Sequence, residues 1–331
     1  MASTDLRWNR LYQAKRLVTF VKRSTDEWPA WSGVATCGRS LGPVEIMTDG
    51  HSCWPSGTWM CGLIWVCPVC SSRLKKRHAD EVQIAADEWV ARGGRLAMLT
   101  LTVRHDRTMP LLDVLAAVTH SWRKLQSQKA YRSFRKNMIG SIKALEITWG
   151  PNGWHPHLHV LLFLNPGLDP CEAELGASGL VSGWRQLVGD QLGVSPSLER
   201  AMDFRYLDTS AAAYISKVAK EIAMADTKST RSPFALLDLG ETENYAQRVA
   251  QFIEYVTVTR SRQSFTWSKG LRELLDVAAL RNILAVASLE DSAGVVVLTV
   301  ERDEWNRMWC QGEVGTFLVS LEQQLVGGPS P

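Results

Sequence analysis

The segment GPNGWHPHLHVLLFL, Gly150–Leu164, constrains the fold of this chain more strongly than any other segment. GPNG is typical of a β-turn, because proline favours the second turn position. Side chains alternate between the two faces of a strand, so His155, His157 and His159 would lie on one face. The apolar run VLLFL after them predicts a buried strand. We therefore predict a β-hairpin with three histidines near the start of its second strand.

The turn also sets the pairing of the two strands. If Pro151 and Asn152 form its centre, Glu146 lies directly opposite His157 and diagonal to His159. Directly opposed Cβ atoms are about 4.5–5.5 Å apart. The hairpin therefore predicts that one carboxylate meets two imidazoles on the same face.

Two of the three histidines are better placed than the third to bind one ion. Neighbours two residues apart on a strand are separated by roughly 6.6 Å, whereas His155 and His159 are separated by roughly 13 Å. Pro156 cannot donate a ladder hydrogen bond, so the regular strand is expected to begin after it. We predict His157, His159 and Glu146 as metal ligands, with His155 at the rim. This donor set suits Mg²⁺ or Mn²⁺ acting on a phosphate, or Zn²⁺ acting on water.

The cysteines indicate a second metal site. Cys61, Cys67 and Cys70 form C-x₅-C-x₂-C in a chain of seven cysteines without an export signal at its start. Clustered cysteines in a reducing compartment indicate metal before disulfide, and we expect structural Zn²⁺. The residues leave four candidates open for the fourth ligand: Cys37, Cys53, His51 and His78.

A third motif is the helix predicted within DTSAAAYISKVAKEIA, residues 208–223. Thr209 or Ser210 would cap it, and Tyr214 and Lys217 would lie on one side with Glu221 a further turn along. A phenol can act as a nucleophile toward a phosphodiester when cations stabilise the phenolate. Taken alone, the motif is more often ordinary helix packing.

Alternating strand and helix patterns predict an α+β fold around a central antiparallel β-sheet flanked by helices. We expect three regions: a basic, zinc-binding N-terminal region (1–92), a catalytic domain (93–285) and a small acidic strand–helix–helix unit (286–331).

The net charge of +3 is uneven, because acids outnumber bases from residue 289 onward. A basic body fits a polyanionic partner. No signal peptide or membrane span is evident, so a cytoplasmic protein without membrane contact is expected.

Several motifs together resemble the HUH endonuclease superfamily. The order of LTLTV, HPHLHVLLF and YISK matches that superfamily, and CGLIWVCPVCSSRL and TWSKGLREL are similar to segments flanking its nuclease core. More narrowly, the chain resembles single-tyrosine replication initiators of bacterial rolling-circle plasmids. The resemblance covers roughly residues 37–275.

The resemblance implies an HUH endonuclease fold and a definite chemistry. His157 and His159 would hold Mg²⁺ or Mn²⁺ with Glu146 as third ligand, and Cys37 would match the family's upstream cysteine as fourth zinc ligand. Tyr214 would attack a phosphodiester of single-stranded or cruciform origin DNA, keep the 5′ phosphate and release a 3′-hydroxyl primer, while Lys217 steadies the charge. A host helicase is the implied partner.

One position departs from the family pattern. An acidic residue often precedes the tyrosine there, but residues 210–213 are Ser-Ala-Ala-Ala, so Glu221 is our candidate for the terminating base. The alternative functions are a transposase or relaxase of the same superfamily, a non-catalytic zinc-stabilised DNA-binding protein, and a metal hydrolase unrelated to DNA.

Overall fold

The computed structural model describes residues 3–207, 232–238, 244–277 and 294–326. It divides into two compact units, each assembled from separate stretches of chain. The first comprises residues 1–74, 234–260 and 283–331, and the second residues 75–233 and 261–282.

The described strands are β1 (Ser40–Thr48), β2 (Cys53–Thr58), β3 (Arg95–Leu101), β4 (Met138–Gly150), β5 (Gly153–Leu164), β6 (Met202–Leu207), β7 (Phe265–Trp267) and β8 (Val295–Val300). The described α-helices are α1 (Ser3–Thr25), α2 (Pro68–Ala91), α3 (Leu111–Ser127), α4 (Lys129–Phe134), α5 (Pro170–Ser178), α6 (Val181–Leu192), α7 (Leu198–Ala201), α8 (Tyr245–Thr259), α9 (Leu271–Leu274), α10 (Arg302–Gln311) and α11 (Val314–Val326). None of these helices combines the length and the apolar character needed to span a bilayer.

The second unit is built on a five-stranded antiparallel sheet in the order β6-β3-β5-β4-β7. Its central strand, β5, is almost wholly buried, as the run VLLFL predicts. Glu146 pairs with His157 across the β4–β5 hairpin, so the predicted register is confirmed. The α+β class with an antiparallel sheet flanked by helices is present as well.

Helix α2 covers one end of one sheet face. Val82, Ala85, Ala86 and Trp89, at helical spacing, form a core with the odd-numbered β5 residues, including Leu161. The Trp89 indole donates a hydrogen bond of 2.9 Å to the Leu164 carbonyl. His157 and His159 continue the same face toward the hairpin turn, beyond this core.

The first unit joins the two ends of the chain. Its sheet has the order β2-β1-β8, so a strand from the C-terminal segment pairs with one from the N-terminal segment. Trp305 of α10 is fully buried, and its indole donates a 2.8 Å hydrogen bond to the Gly38 carbonyl. The strand–helix–helix order predicted for the C-terminal segment is present, but the segment belongs to this unit and does not stand alone as the 286–331 boundary implied.

Two further segments are each divided into shorter elements. The segment 31–71, which lacks a long periodic pattern, contains β1 and β2, because short strands flanked by Gly and Pro carry little periodic signal. The basic helical stretch after Leu111 is divided at Gln128, whose backbone is extended (φ −73°, ψ 151°), into α3 and α4.

Replacing Leu161 by alanine tests the core beneath α2. Leu161 is 1% exposed, and truncating a buried leucine lowers the free energy of unfolding by about 2–5 kcal/mol. Leu112→Ala is the matched control, because Leu112 is 52% exposed and the change leaves helix propensity nearly unaltered. Urea unfolding of both variants measures the difference, and equal destabilisation would contradict this packing.

Candidate metal centre

Glu146 on β4 and His157 and His159 on β5 meet on one face of the second unit's sheet. The Nε2 atoms of both imidazoles face the same carboxylate oxygen, Oε2 of Glu146; the distance from His159 is 2.8 Å, and His157 is in direct contact. One candidate ligand atom from each residue lies within 4.8 Å of the other two. The three side chains are 8–13% exposed, so the site is largely buried but keeps some contact with solvent.

The electrostatics of the site favour a charged carboxylate. Burial would raise the pKa of Glu146, but hydrogen bonds from His157 and His159 outweigh it and lower that pKa to about 2. The carboxylate is therefore ionised at neutral pH and provides a negative charge in the direction that both rings face. An anionic oxygen beside two imidazole nitrogens attracts a cation.

The second nitrogen of each ring lies in a different environment. Nδ1 of His159 is 3.2 Å from the Thr100 hydroxyl on the neighbouring strand β3. A hydrogen bond there orients the ring and turns Nε2 toward the carboxylate, the usual outer-shell arrangement of a metal-binding histidine. Nδ1 of His157 is buried, and no described residue gives it a hydrogen-bond partner.

His155 lies beside this cluster and is not part of it. Its ring centroid is 5.1 Å from that of His157, while its Nδ1 is 2.5 Å from Nε2 of His105. His105 in turn donates from Nδ1 to the Asn152 carbonyl at 3.0 Å. Burial and the nearby charges of His157 and His105 lower the pKa of His155 to about 4, and burial also lowers the pKa of His105.

Sequence reasoning placed His155 at the rim but missed His105. The sequence offered one signal for His105, which is its position just after β3. Because β3 pairs with β5, the strand that carries the three histidines, a residue after β3 can lie near them. Nothing local to His105 indicated that the loop would fold back onto the hairpin turn.

The donor set fits a divalent ion. Two imidazole nitrogens and one carboxylate oxygen converge from adjacent strands, and the Thr100 hydroxyl lies outside them. Mixed nitrogen and oxygen sets of this kind suit Mn²⁺ and Zn²⁺, and they suit Mg²⁺ less well because it prefers oxygen.

Four cysteine sulfurs form a second cluster, in the first unit. The Sγ atoms of Cys37, Cys61, Cys67 and Cys70 all lie within 4.8 Å of one another, and Cys37 is 3.5 Å from Cys67 and 3.6 Å from Cys70. Cys67 and Cys70 lie at the start of α2, where unpaired backbone N–H groups favour thiolates. Hydrogen bonds from Cys37, Cys61 and Cys67 lower the pKa of Cys70.

The other candidates for the fourth ligand lie elsewhere. Cys53 is buried within β2, His51 is exposed in the turn before it, and His78 stacks on Phe265 with ring centroids 4.4 Å apart. The structure thus groups Cys37 with the three clustered cysteines, and a Cys₄ set of this spacing is typical of structural Zn²⁺.

The remaining predicted site residues are Tyr214, Lys217 and Glu221. All three lie outside the described residues, so their roles stay predictions.

A family model matches part of the chain. Residues 56–168 match a family model described as a replication protein, and this range includes Glu146, His157, His159 and three of the four clustered cysteines. No solved structure gives a significant match.

Three curated relatives are similar to parts of the chain. The alignment with "Protein rep" of Streptomyces lividans is 28% identical over 310 positions and covers 71% of this chain and 67% of that protein. A "Neomycin resistance protein" of Streptomyces cyanogenus is 32% identical over 37% of this chain and 34% of its own length. "Protein rep" of Lentilactobacillus hilgardii is 31% identical over 33% of this chain and 34% of its own length. The resemblance to plasmid replication initiators is thereby confirmed.

Manganese titration tests the ligand set on β4 and β5. Glu146→Gln removes the negative charge at constant shape, and we expect Mn²⁺ affinity to fall at least tenfold, as losses of metal-site groups do. His51→Ala, an exposed histidine in the first unit, is the control and should bind normally. Calorimetry on the zinc-loaded chain in chelator-treated buffer measures this, and an unchanged affinity in Glu146→Gln would exclude the site.

Zinc content tests the cysteine cluster. We expect Cys37→Ser and Cys67→Ser to lower the zinc bound per chain and the melting temperature, because a structural site contributes its binding energy to folding. Cys171→Ser is the control, since Cys171 is exposed and outside the cluster. Elemental analysis of the purified chains measures the zinc bound per chain. Zinc loss in Cys53→Ser but not in Cys37→Ser would show that the fourth ligand is misassigned.

Proposed function

We propose that this chain, a relative of plasmid replication proteins, initiates rolling-circle replication by nicking and rejoining single-stranded origin DNA. The observation that carries the proposal is the convergence of Glu146, His157 and His159 within the segment that matches the replication-protein family model. A divalent-ion site whose ligands remain 8–13% exposed to solvent is suited to phosphodiester chemistry. Among the alternatives, the name "Protein rep" that two of the three relatives carry favours an initiator over a transposase or a relaxase.

The cation that we propose for this site is Mn²⁺ or Mg²⁺. When bound, it would polarise a phosphodiester oxygen and stabilise the negative charge that develops during displacement. The protein's own contribution is orientation: the hairpin register places the three donors, and the Thr100 hydroxyl holds the ring of His159. Because Glu146 is ionised at neutral pH, no deprotonation precedes binding of the ion at that oxygen.

Tyr214 is the proposed nucleophile. Its phenolic oxygen would form a bond to the phosphorus while the bond to the 3′ oxygen breaks. The phenol proton is lost, and the leaving 3′ oxygen takes up a proton to become the hydroxyl that primes synthesis. Lys217, three residues later in the helix that the sequence predicts, would stabilise the phenolate, and Glu221 would later activate water or an incoming hydroxyl.

The Cys₄ cluster serves a structural purpose in this proposal. A Zn²⁺ ion held by Cys37, Cys61, Cys67 and Cys70 would fix the start of α2 to the segment before β1, two elements that are distant in sequence. In such a role zinc contributes to folding and takes no part in the cleavage.

The proposed setting follows from the reaction. The partners are origin DNA, single-stranded or extruded as a cruciform, and a host helicase that would unwind the duplex behind the nick. A plasmid initiator acts where the plasmid lies, in the cytoplasm.

A covalent-adduct assay tests the function. We expect the chain, incubated with Mn²⁺ and single-stranded DNA from a cognate plasmid origin, to form a protein–DNA adduct that survives denaturing electrophoresis. Tyr214→Phe should abolish the adduct because it lacks the nucleophilic oxygen, and Glu146→Gln should reduce it at least a hundredfold. Tyr245→Phe, a change at an exposed tyrosine, is the matched control and should react normally.

The outcomes separate the competing functions. Cleavage that persists in Tyr214→Phe would identify water as the nucleophile and support a metal hydrolase. Retained DNA binding without any adduct, on the cognate origin as well, would support a non-catalytic DNA-binding protein.

A further inference from the structure

A cleft of about 840 Å³ opens within the second unit beside the candidate metal centre. Its walls come from the β3–α3 connection, the β4–β5 turn, α6 and the segment before β6. The lining residues lie within 102–105, 150–153 and 195–200, together with His155 and Arg185.

His155 links this cleft to the metal centre. It lines the cleft, and its ring is the immediate neighbour of the His157 ring, with centroids 5.1 Å apart. A ligand that lies in the cleft and extends past His155 therefore reaches the metal-binding side chains.

The cleft is strongly cationic. Arg104, Arg185 and Arg200 line it against a single acid, Glu199, and none of the three arginines forms an ion pair with any residue in the described ranges. Arg185 is held in place by a 2.9 Å hydrogen bond from Nε to the Pro196 carbonyl, which leaves its terminal nitrogens for a ligand. Unpaired guanidinium groups converging on one concavity indicate an anionic ligand, and phosphate suits their geometry.

The wall that carries Arg104 is preformed. The loop that follows Arg104 is bonded to the hairpin turn, because Arg107 donates to the Pro151 carbonyl at 3.0 Å and His105 donates to the Asn152 carbonyl at 3.0 Å. The approach is close: Gly153 has φ +89°, and a Cβ atom there would lie 2.8 Å from the Cα atom of Arg107. A wall fixed in this way needs little ordering when a ligand binds.

We propose that this cleft binds the backbone phosphates of single-stranded DNA next to the phosphodiester at the metal centre, through Arg104, Arg185 and Arg200. That the ligand is single-stranded DNA rests on the proposed function. The volume falls within the roughly 300–1,000 Å³ of sites that enclose ligand-sized molecules, so the cleft is large enough for a few nucleotides of one strand and too small to enclose a duplex.

DNA binding without cleavage tests the cleft. The zinc-loaded full chain is titrated against a fluorescein-labelled single strand of about 20 nucleotides, in buffer without Mg²⁺ or Mn²⁺, over a series of salt concentrations. Arg104→Gln, Arg185→Gln and Arg200→Gln should each raise Kd about fivefold and lower the slope of log K against log salt by about 0.7, the value for one phosphate contact on a single strand. Arg104→Lys, Arg185→Lys and Arg200→Lys keep the positive charge and should therefore retain the wild-type slope of log K against log salt. A merely structural role of these arginines would not predict this result.

The matched control is Arg302→Gln, which removes one positive charge at an exposed residue of the first unit, where Arg302 pairs with Asp303. It should change neither Kd nor the slope. Melting curves confirm that each variant is folded, and a stem-loop duplex of the same length should compete poorly.

The outcomes distinguish this proposal from the function on which it rests. The decisive variant combines Arg104→Gln, Arg185→Gln and Arg200→Gln. If it folds and its Kd and slope are unchanged, or if the wild-type chain binds the duplex with equal affinity, the cleft proposal is overturned even if the chain nicks DNA. A different pair of results would support the cleft and overturn the nicking function. In that case the arginine variants lose DNA binding, and the wild-type chain forms no adduct with its origin.

Discussion

The pairing of β4 with β5 is the constraint on which the rest of the second unit depends. Because side chains alternate along a strand, a slip of one residue would transfer every side chain of β5 to the opposite face. Glu146 would then no longer oppose His157, and the odd-numbered apolar residues would leave the core under α2. The four-residue turn, the buried apolar run and the carboxylate–imidazole contacts all favour the same register, so the hairpin is specified several times over.

The sheet face that results is divided into a buried end and an end that carries the candidate metal ligands. Helix α2 packs on the end that carries Leu161 and Phe163, and the histidines continue beyond it, partly shielded from water. Partial burial strengthens the attraction between a carboxylate and a cation relative to water. The cationic cleft begins at the same hairpin turn, so one local structure positions both the candidate metal ligands and the proposed DNA contacts.

The first unit is assembled differently, because its strands and helices come from segments that are far apart in the sequence. Strand β8 pairs with β1, the indole of Trp305 bonds to the backbone beside Cys37, and Cys37 meets the cysteines at the start of α2. Contacts of this kind cannot be seen in a local sequence window. They explain why an acidic C-terminal segment that reads as a separate unit is part of a shared core.

The sequence by itself determined the features that depend on neighbours along the chain. These were the hairpin, its register, the placement of Glu146 opposite His157 and the Cys61–Cys67–Cys70 spacing, because turn chemistry and the two-residue period of a strand act over a few residues. Only the tertiary structure decided which residue joins those cysteines, how far α2 covers the sheet, and that the loop carrying His105 and Arg104 folds back onto the turn. These outcomes depend on close packing between segments distant in sequence, and the energy of such packing is set by the shape of the assembled core.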